Sequence, residues 1–406
     1  MDGRPRTDTA GPGYPITLDV RGRRAVVVGG GPVAARRAAR LAEEGADLLV
    51  VAPALCEPLA ELVDAGAARW RPRDYLATDL DDAWLVHSAT GDREVDAAVA
   101  ADAEAARVWC VRADDAAASA AWTPAVARSG DVQVAVTAGG DPRRAARLRS
   151  AVALLLDTGA LPLRRHRAGE GHVTLVGGGP GDEGLITTRG RRALAEADVV
   201  VVDRLAPRGL LEHLDRDVEV VEAGKAPHAH TLTQDEINAV LVERARAGLR
   251  VVRLKGGDPF VLGRGGEEVA ACLAAGVRVD VVPGVTSAIA VPGAAGIPVT
   301  HRGVSRQVTI LSAHDRTPDW ATLARLDGTL VLLMGVAQLA SHAEALVAAG
   351  KDPATPVAVV ERGTLPGQRT TVGTLADIAV TALERGVGNP AVVVVGEVAA
   401  LHELLG

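Results

Sequence analysis

Two loops of one kind carry the residues best suited to chemistry in this sequence. Val251-Val252-Arg253-Leu254-Lys255 runs into Gly256-Gly257-Asp258-Pro259-Phe260, so a largely apolar stretch ends in a glycine pair, an acid and a proline. Residues 173–176 run likewise into Gly177-Gly178-Gly179-Pro180-Gly181-Asp182. In an open α/β sheet ligands lie outside the carboxyl ends of the strands, and adjacent glycines let a backbone approach a ligand closely. Either loop alone reads equally as a tight turn after a buried strand. The recurrence favours a shared ligand. Between the loops Asp203 follows four valines, a place for either a helix cap or a site group.

A third constellation lies near the start. Val26-Val27-Val28 leads into Gly29-Gly30-Gly31-Pro32-Val33-Ala34, which has the G-x-G-x-x-A form between a strand and a helix. The glycines turn tightly there and the helix N-terminus faces a pyrophosphate, so a dinucleotide site is expected at Gly29, Gly31, Pro32 and Val33. The next strand ends Val50-Val51-Ala52-Pro53-Ala54, with no acid for the ribose hydroxyls. Backbone contacts at Pro53 and Ala54 are the expected substitute.

The elements that position these loops alternate. Strand-like runs at 25–28, 47–51, 84–88, 108–111 and 132–137 are separated by helical stretches at 34–44 and 95–106, which predicts a parallel sheet with crossover helices. After a helix over 145–156, a basic and then glycine-rich stretch reads as a linker. A second series has strands from 173 and at 199–202, 218–221, 251–254 and 279–282; a third group, at 308–311, 330–333, 357–360 and 392–395, suggests another lobe. The fold class is α/β, with a Rossmann-like dinucleotide-binding domain over residues 1–150, a helix end and linker over 151–171, and a two-lobed α/β domain over 172–406. The lobes divide at about 282/283.

A chain of 406 residues exceeds what one core supports, and its 48% apolar content fills several. Phe260 is the sole phenylalanine, so the cores must be built from Val, Leu, Ile and Ala. A net charge of −7 without a long basic block argues against nucleic acid or anionic membrane as partners. Cys56, Cys110 and Cys272 form neither a disulfide framework nor a CxxC pair, and the first residues lack an apolar core. A cytoplasmic protein is expected.

From about His172 onward, Gly177 to Asp182, Val202-Asp203-Arg204-Leu205, Gly224-Lys225, the Gly256 loop and Pro283-Gly284-Val285-Thr286-Ser287-Ala288 resemble the uroporphyrinogen-III C-methyltransferases in order and spacing. The resemblance implies a tetrapyrrole methyltransferase domain in which Pro180, Gly256, Gly257, Asp258, Val261, Thr286, Ser287, Met334 and Gly363 surround S-adenosylmethionine. It also implies Asp203 as proton acceptor and Lys225 as donor. Methylating a tetrapyrrole carbon requires the methyl donor in line with that carbon and a base for the proton left behind. A lysine beside other cations is suited to giving up a proton. The substrate that the resemblance implies is a polycarboxylate, for which Arg204, His228, His230, Arg264, Arg302 and Arg306 are candidate partners. Glu267 and Glu268 read alternatively as a favourable helix start.

In the first domain, Gly29 to Ala34, Ser88-Ala89-Thr90-Gly91-Asp92, Cys110 to Asp114 and Thr137-Ala138-Gly139-Gly140-Asp141-Pro142 resemble the precorrin-2 dehydrogenase and sirohydrochlorin ferrochelatase domain. That resemblance implies NAD as cofactor, Fe²⁺ as a further substrate, and Asp114 as the acid serving both dehydrogenation and chelation, with Asp115 adjacent as a competitor. Departures are plain: Val111 stands where the family has Asn, Gly139-Gly140-Asp141-Pro142 replaces a serine-bearing loop, and the helical segment that follows is almost absent. A lone His87 has no companion for a metal site. Joined, the two domains resemble the siroheme synthase family, which implies a homodimer and three tetrapyrrole substrates: uroporphyrinogen III, precorrin-2 and sirohydrochlorin. Two alternatives are a methyltransferase with a nicotinamide-sensing, non-catalytic first domain, and an enzyme of the cobalamin branch.

Overall fold

The computed structural model describes residues 13–161, 163–164, 169–224, 232–314 and 318–402. The chain forms two compact units, Met1–Ala153 and Leu154–Gly406.

In the first unit, β1 (Arg24–Val28), α1 (Pro32–Glu43), β2 (Asp47–Val51), α2 (Glu57–Asp64), β3 (Arg69–Arg71), β4 (Ala83–Ser88), α3 (Arg93–Ala106) and β5 (Trp109–Arg112) build a five-stranded parallel sheet. Its order is β3-β2-β1-β4-β5, so the winding reverses between β1 and β4. Apolar residues are continuous along β1 because both its faces are covered: Ala25 and Val27 pack under α1, Val26 and Val28 under α3. The dinucleotide-type sheet expected from the sequence is present, with one correction. Residues 132–137, read as another strand of the parallel series, form instead β7 (Val132–Val136), paired antiparallel with β6 (Ala125–Ser129) as a separate hairpin. The reason is connection length: only Gly130 and Asp131 join them, and a parallel neighbour needs a long crossover. α4 (Pro142–Asp157) follows and runs across the division between the units.

The second unit begins with β8 (His172–Gly177), α5 (Thr188–Ala195), β9 (Val199–Val202), β10 (Glu219–Glu222), α6 (Gln234–Arg246), β11 (Arg250–Lys255), α7 (Gly265–Ala274) and β12 (Val279–Val282). These strands form a parallel sheet of order β10-β9-β11-β8-β12. Alternate valines of β9 point to opposite cores, Val199 and Val201 toward α6 and α7, Val200 and Val202 toward α5. A second sheet follows from α8 (Ser287–Ala294), β13 (Val308–Ser312), α9 (Trp320–Arg325), β14 (Thr329–Leu333), α10 (Leu339–Ala348), β15 (Pro356–Glu361), β16 (Arg369–Thr374), α11 (Ile378–Glu384) and β17 (Ala391–Val395). Its order is β13-β14-β17-β15-β16, and every pair except β13–β14 is antiparallel. Thus the two expected lobes are distinct sheets. α8 already packs on the second of them, through Ala288 and Val291 against Val331 and Val394.

Candidate active sites

In the first unit the carboxyl ends of β1, β2 and β4 meet at the glycine loop. Gly29 has φ +126°, and a Cβ there would stand 2.3 Å from the Ala89 carbonyl oxygen; one on Gly30 would stand 1.8 Å from that of Ala54. Both glycines are therefore required by the close approach of neighbouring loops. Gly31 differs, because a Cβ on it would meet nothing within 4 Å. It begins α1 with Pro32 as first helical residue and no side chain capping the helix, while Val33 is exposed. The free N–H groups of that first turn and the open space above Gly31 suit a dinucleotide pyrophosphate. Pro53 and Ala54 follow β2 at this end, exposed and without an acid.

The Ser88 to Asp92 segment is held from below. The buried Asp96 carboxylate accepts from the Thr90 amide at 3.1 Å, from the Thr90 hydroxyl at 2.8 Å and from the Ser88 hydroxyl. Asp92 caps α3. Asp114 is clamped by Arg112, whose Nε and Nη2 lie 3.0 and 2.7 Å from its two oxygens, and this pairing holds its carboxyl below the usual range. Asp115 instead receives the amides of Ala117 and Ala118. His87 is buried, and burial together with the charge of Arg37 pulls its pKa down to about 4. Among the described residues no three His, Cys, Asp or Glu side chains converge to hold a metal.

In the second unit three loops at the carboxyl ends of β8, β11 and β12 are packed backbone to backbone. A Cβ on Gly177 would lie 2.5 Å from Gly284 Cα, and one on Gly284 would lie 2.2 Å from the Gly257 oxygen. Gly179 and Gly257 exchange N–H···O bonds of 3.2 and 2.7 Å. Asp258 ties the arrangement together: Oδ1 accepts from the amides of Phe260 and Val261, Oδ2 from that of Gly284. Its carboxylate thus shapes the loop. Gly257, at φ +67°, faces open room: a methyl added there would have Ser287 N and Thr286 Cα as its nearest atoms, at 3.6 and 3.9 Å. Thr286 caps α8.

The second lobe contributes strained backbone. Met334, Arg362 and Thr364 have φ of +61°, +49° and +68° without being glycine. Such conformations cost on the order of 1–3 kcal/mol each and cluster where ligands are clamped. Met334 is exposed, and Gly363 is pressed on Val291 so tightly that a Cβ would stand 2.4 Å from it. The Asp182 amide donates to the Thr364 hydroxyl at 3.2 Å, joining this loop to the one after β8, which bears Pro180.

Asp203 stands at the end of β9, and beneath it lies a feature sequence reasoning missed. Arg253 and Lys255 point into the sheet's α6–α7 face, each 2% exposed, against Glu268 of α7 at 0%. Arg253 donates to Asp203 Oδ1 at 2.7 Å and to Glu268 Oε1 at 2.9 Å; Lys255 donates to both Glu268 oxygens at 3.0 and 3.1 Å and lies 3.8 Å from Asp203 Oδ2. Burial pulls the Lys255 pKa down, reinforced by the charge of Arg253. For Arg253 burial acts in the same sense but Asp203 and Glu268 outweigh it, so its pKa is raised. Glu267 and Glu268 do lie in the first turn of α7, as the helix-start reading has it, and Glu268 is in addition the counter-ion of two buried cations. The legible signal was Arg253 and Lys255 at alternate positions, on the same strand face as Val251, since buried cations demand an acid.

Of the expected substrate-side cations, Arg264 pairs with Glu267 on the surface at 2.8 Å, and Arg204, Arg302 and Arg306 are exposed. Lys225, His228 and His230 lie outside the described residues.

Residues 172–379 match the family described as Tetrapyrrole (Corrin/Porphyrin) Methylases, and residues 16–125 that described as Putative NAD(P)-binding. A siroheme synthase of Chromobacterium violaceum is 39% identical over 451 aligned positions, covering 97% of this chain and 96% of the relative. The chain belongs to the siroheme synthase family. It is an enzyme of siroheme biosynthesis, with the methyltransferase and NAD-binding parts in the order the sequence implied. The alignment is longer than the 406-residue chain, so this siroheme synthase homologue lacks segments its relative has. The second unit has its own relatives. An S-adenosyl-L-methionine-dependent uroporphyrinogen III methyltransferase of Methanosarcina barkeri is 52% identical, over 58% of this chain and 95% of that protein. The uroporphyrin-III C-methyl transferase of Thermus thermophilus, solved with S-adenyl homocysteine, is 42% identical with a TM-score of 0.51, over 57% of this chain and 100% of that one. Among the described residues no helix is long and apolar enough to cross a membrane.

Proposed function

We propose that the second unit methylates uroporphyrinogen III twice to give precorrin-2, and that the first oxidises precorrin-2 to sirohydrochlorin and then inserts Fe²⁺. The observation that carries the methyl-transfer reading is the place of Asp203: in a network whose other charged members are buried, its side chain alone is a third exposed, at the strand ends where the glycine loops converge. Bound S-adenosylmethionine supplies an electrophilic methyl and bound NAD⁺ a hydride acceptor. The loops fit both groups: room over Gly257 and strained backbone at Met334 for the first, open Gly31 at a free helix N-terminus for the second.

The residues divide the work. Gly256, Gly257, Val261, Thr286, Ser287, Pro180, Met334 and Gly363 line the methyl-donor pocket, while Asp258 keeps its loop in shape. With the methyl passed from the sulfonium to the ring carbon, S-adenosylhomocysteine would leave, and the substrate proton would pass to the Asp203 carboxylate. Lys225 is the partner acid in this reading, on sequence grounds alone. In the first unit Gly29, Gly31, Pro32, Val33, Pro53 and Ala54 hold the dinucleotide, and Asp114 accepts the protons that oxidation and chelation release. The functional domains are then 1–150 and 172–406, with 151–171 as connector, in a cytoplasmic homodimer.

The test is the product spectrum of the full chain given uroporphyrinogen III with the methyl donor, NAD⁺ and Fe²⁺ added in turn. Each omission stops the sequence at a named intermediate; absence of any methylated product sinks the reading. A second reading, in which the first unit only senses nicotinamide, is favoured by Asp114, both of whose oxygens are taken by Arg112. Precorrin-2 oxidation by wild type and Asp114→Ala separates the two. A rate lost in the variant supports catalysis, and no rate in either supports the sensor.

A further inference from the structure

We infer that Arg253 is a positioning residue for Asp203, aiming the carboxylate from inside the sheet, with Glu268 and Lys255 as its brace. The inference rests on Asp203 being the proton acceptor. Arg253 spends its rigid fork on three acceptors: Asp203 Oδ1 at 2.7 Å, Glu268 Oε1 at 2.9 Å and the Val201 carbonyl at 3.3 Å. Val201 lies two residues before Asp203 on the same strand, so one planar group fixes the acid against its own backbone. Glu268 cannot swing away, because Lys255 holds both its oxygens and Gln234 Nε2 reaches Oε1 at 3.3 Å. Oδ1 of Asp203 is thereby consumed, leaving Oδ2, with Lys255 at 3.8 Å, as the oxygen free to take a proton.

Stability alone gives no reason for this arrangement. Three buried charges beside a half-buried fourth, over a sheet face that elsewhere packs Val199, Val201 and Val251, give no stability advantage over apolar side chains of similar volume. A fixed orientation for one reacting oxygen gives a reason, since small displacements of a catalytic group are expensive in rate.

The experiment compares three variants of the full chain. In Arg253→Lys the charge stays but the fork is lost. In Arg253→Met/Glu268→Gln both charges go, and Lys255 remains balanced against Asp203, so the protein keeps its buried neutrality. Asp203→Asn tests the underlying reading. Steady-state methylation, S-adenosylhomocysteine affinity and thermal unfolding are measured for each. Both Arg253 variants are expected to lose kcat roughly ten- to hundredfold, with KM for uroporphyrinogen III and product affinity within about twofold of wild type. Wild-type kcat in the folded double variant, with Asp203→Asn slow, overturns the positioning role and leaves the acceptor standing. Loss of kcat, affinity and unfolding temperature together in both Arg253 variants makes the role merely structural and also overturns it. A wild-type rate in Asp203→Asn removes acceptor and positioner alike.

Discussion

In the proposed sites the two units solve the same problem, holding a ligand at the carboxyl ends of parallel strands, with different materials. The first uses backbone: glycines 29 and 30 wedged under carbonyls, an uncapped helix start, and one acid paired with one arginine near the surface. The second adds a largely buried charge network that runs along one face of the sheet, from Asp203 to α7. A site made of backbone tolerates substitution around it and fails by exclusion of its ligand; a site made of coupled charges fails by loss of chemistry.

The largest expected effect tests that difference directly. Asp203→Asn should lower methyl transfer about 10²–10⁴-fold, the range for a lost general base, while supplied precorrin-2 is oxidised at the wild-type rate. Label transfer from the methyl donor and absorbance of the oxidised product are measured on one preparation. If both activities fall together, the two sites are not separable and the comparison fails.

A pair of glycine substitutions comes next. Gly284→Ala drives a methyl to 2.2 Å from the Gly257 oxygen, with backbone on both sides and nothing flexible to yield. We expect about 1–3 kcal/mol of destabilisation, as in overpacked cores, together with weaker S-adenosylhomocysteine binding by calorimetry. Gly31→Ala meets no protein atom and has an ordinary φ of −89°, so unfolding should stay within about 0.5 kcal/mol of wild type. Its added methyl occupies the approach to the helix start, and NAD affinity should fall. Unchanged NAD affinity in that variant would remove Gly31 from the site.

These contrasts explain what was legible in the sequence. Gly29, Gly31, Gly177 and Gly257 announce themselves because a glycine pattern after an apolar run is local, and so are the strands that precede it. The hairpin of β6 and β7 was missed because a two-residue turn at Gly130 and Asp131 outweighs the alternating pattern around it. The role of Glu268 was hidden for another reason. It lies thirteen residues beyond Lys255 and sixty-five beyond Asp203, and only the parallel pairing of β9 with β11, with α7 laid over them, brings the three together. Local signals reveal loops; a network that crosses strands is fixed by topology. On the proposed substrate side the sequence names Arg264 as a cation, and the structure adds its surface pairing with Glu267.

A pH dependence tests the first unit alone. His87, buried at the end of β4, has its pKa lowered from 6.5 to about 4, by burial first and then by Arg37. The unfolded chain therefore takes up a proton near pH 6.5 that the folded unit refuses until about pH 4. Stability from this group is complete above pH 6.5, falls as the pH drops through that window, and levels off below it, by ~3 kcal/mol at most. Four of the five tryptophans, Trp70, Trp84, Trp109 and Trp122, belong to the first unit, so in a Trp320→Phe background fluorescence reports its unfolding without that of the second. Denaturant midpoints should decline between pH 6.5 and 4, and His87→Gln should flatten the decline. An equal slope in both proteins would assign the acid sensitivity to other groups and leave the first site a backbone construction throughout.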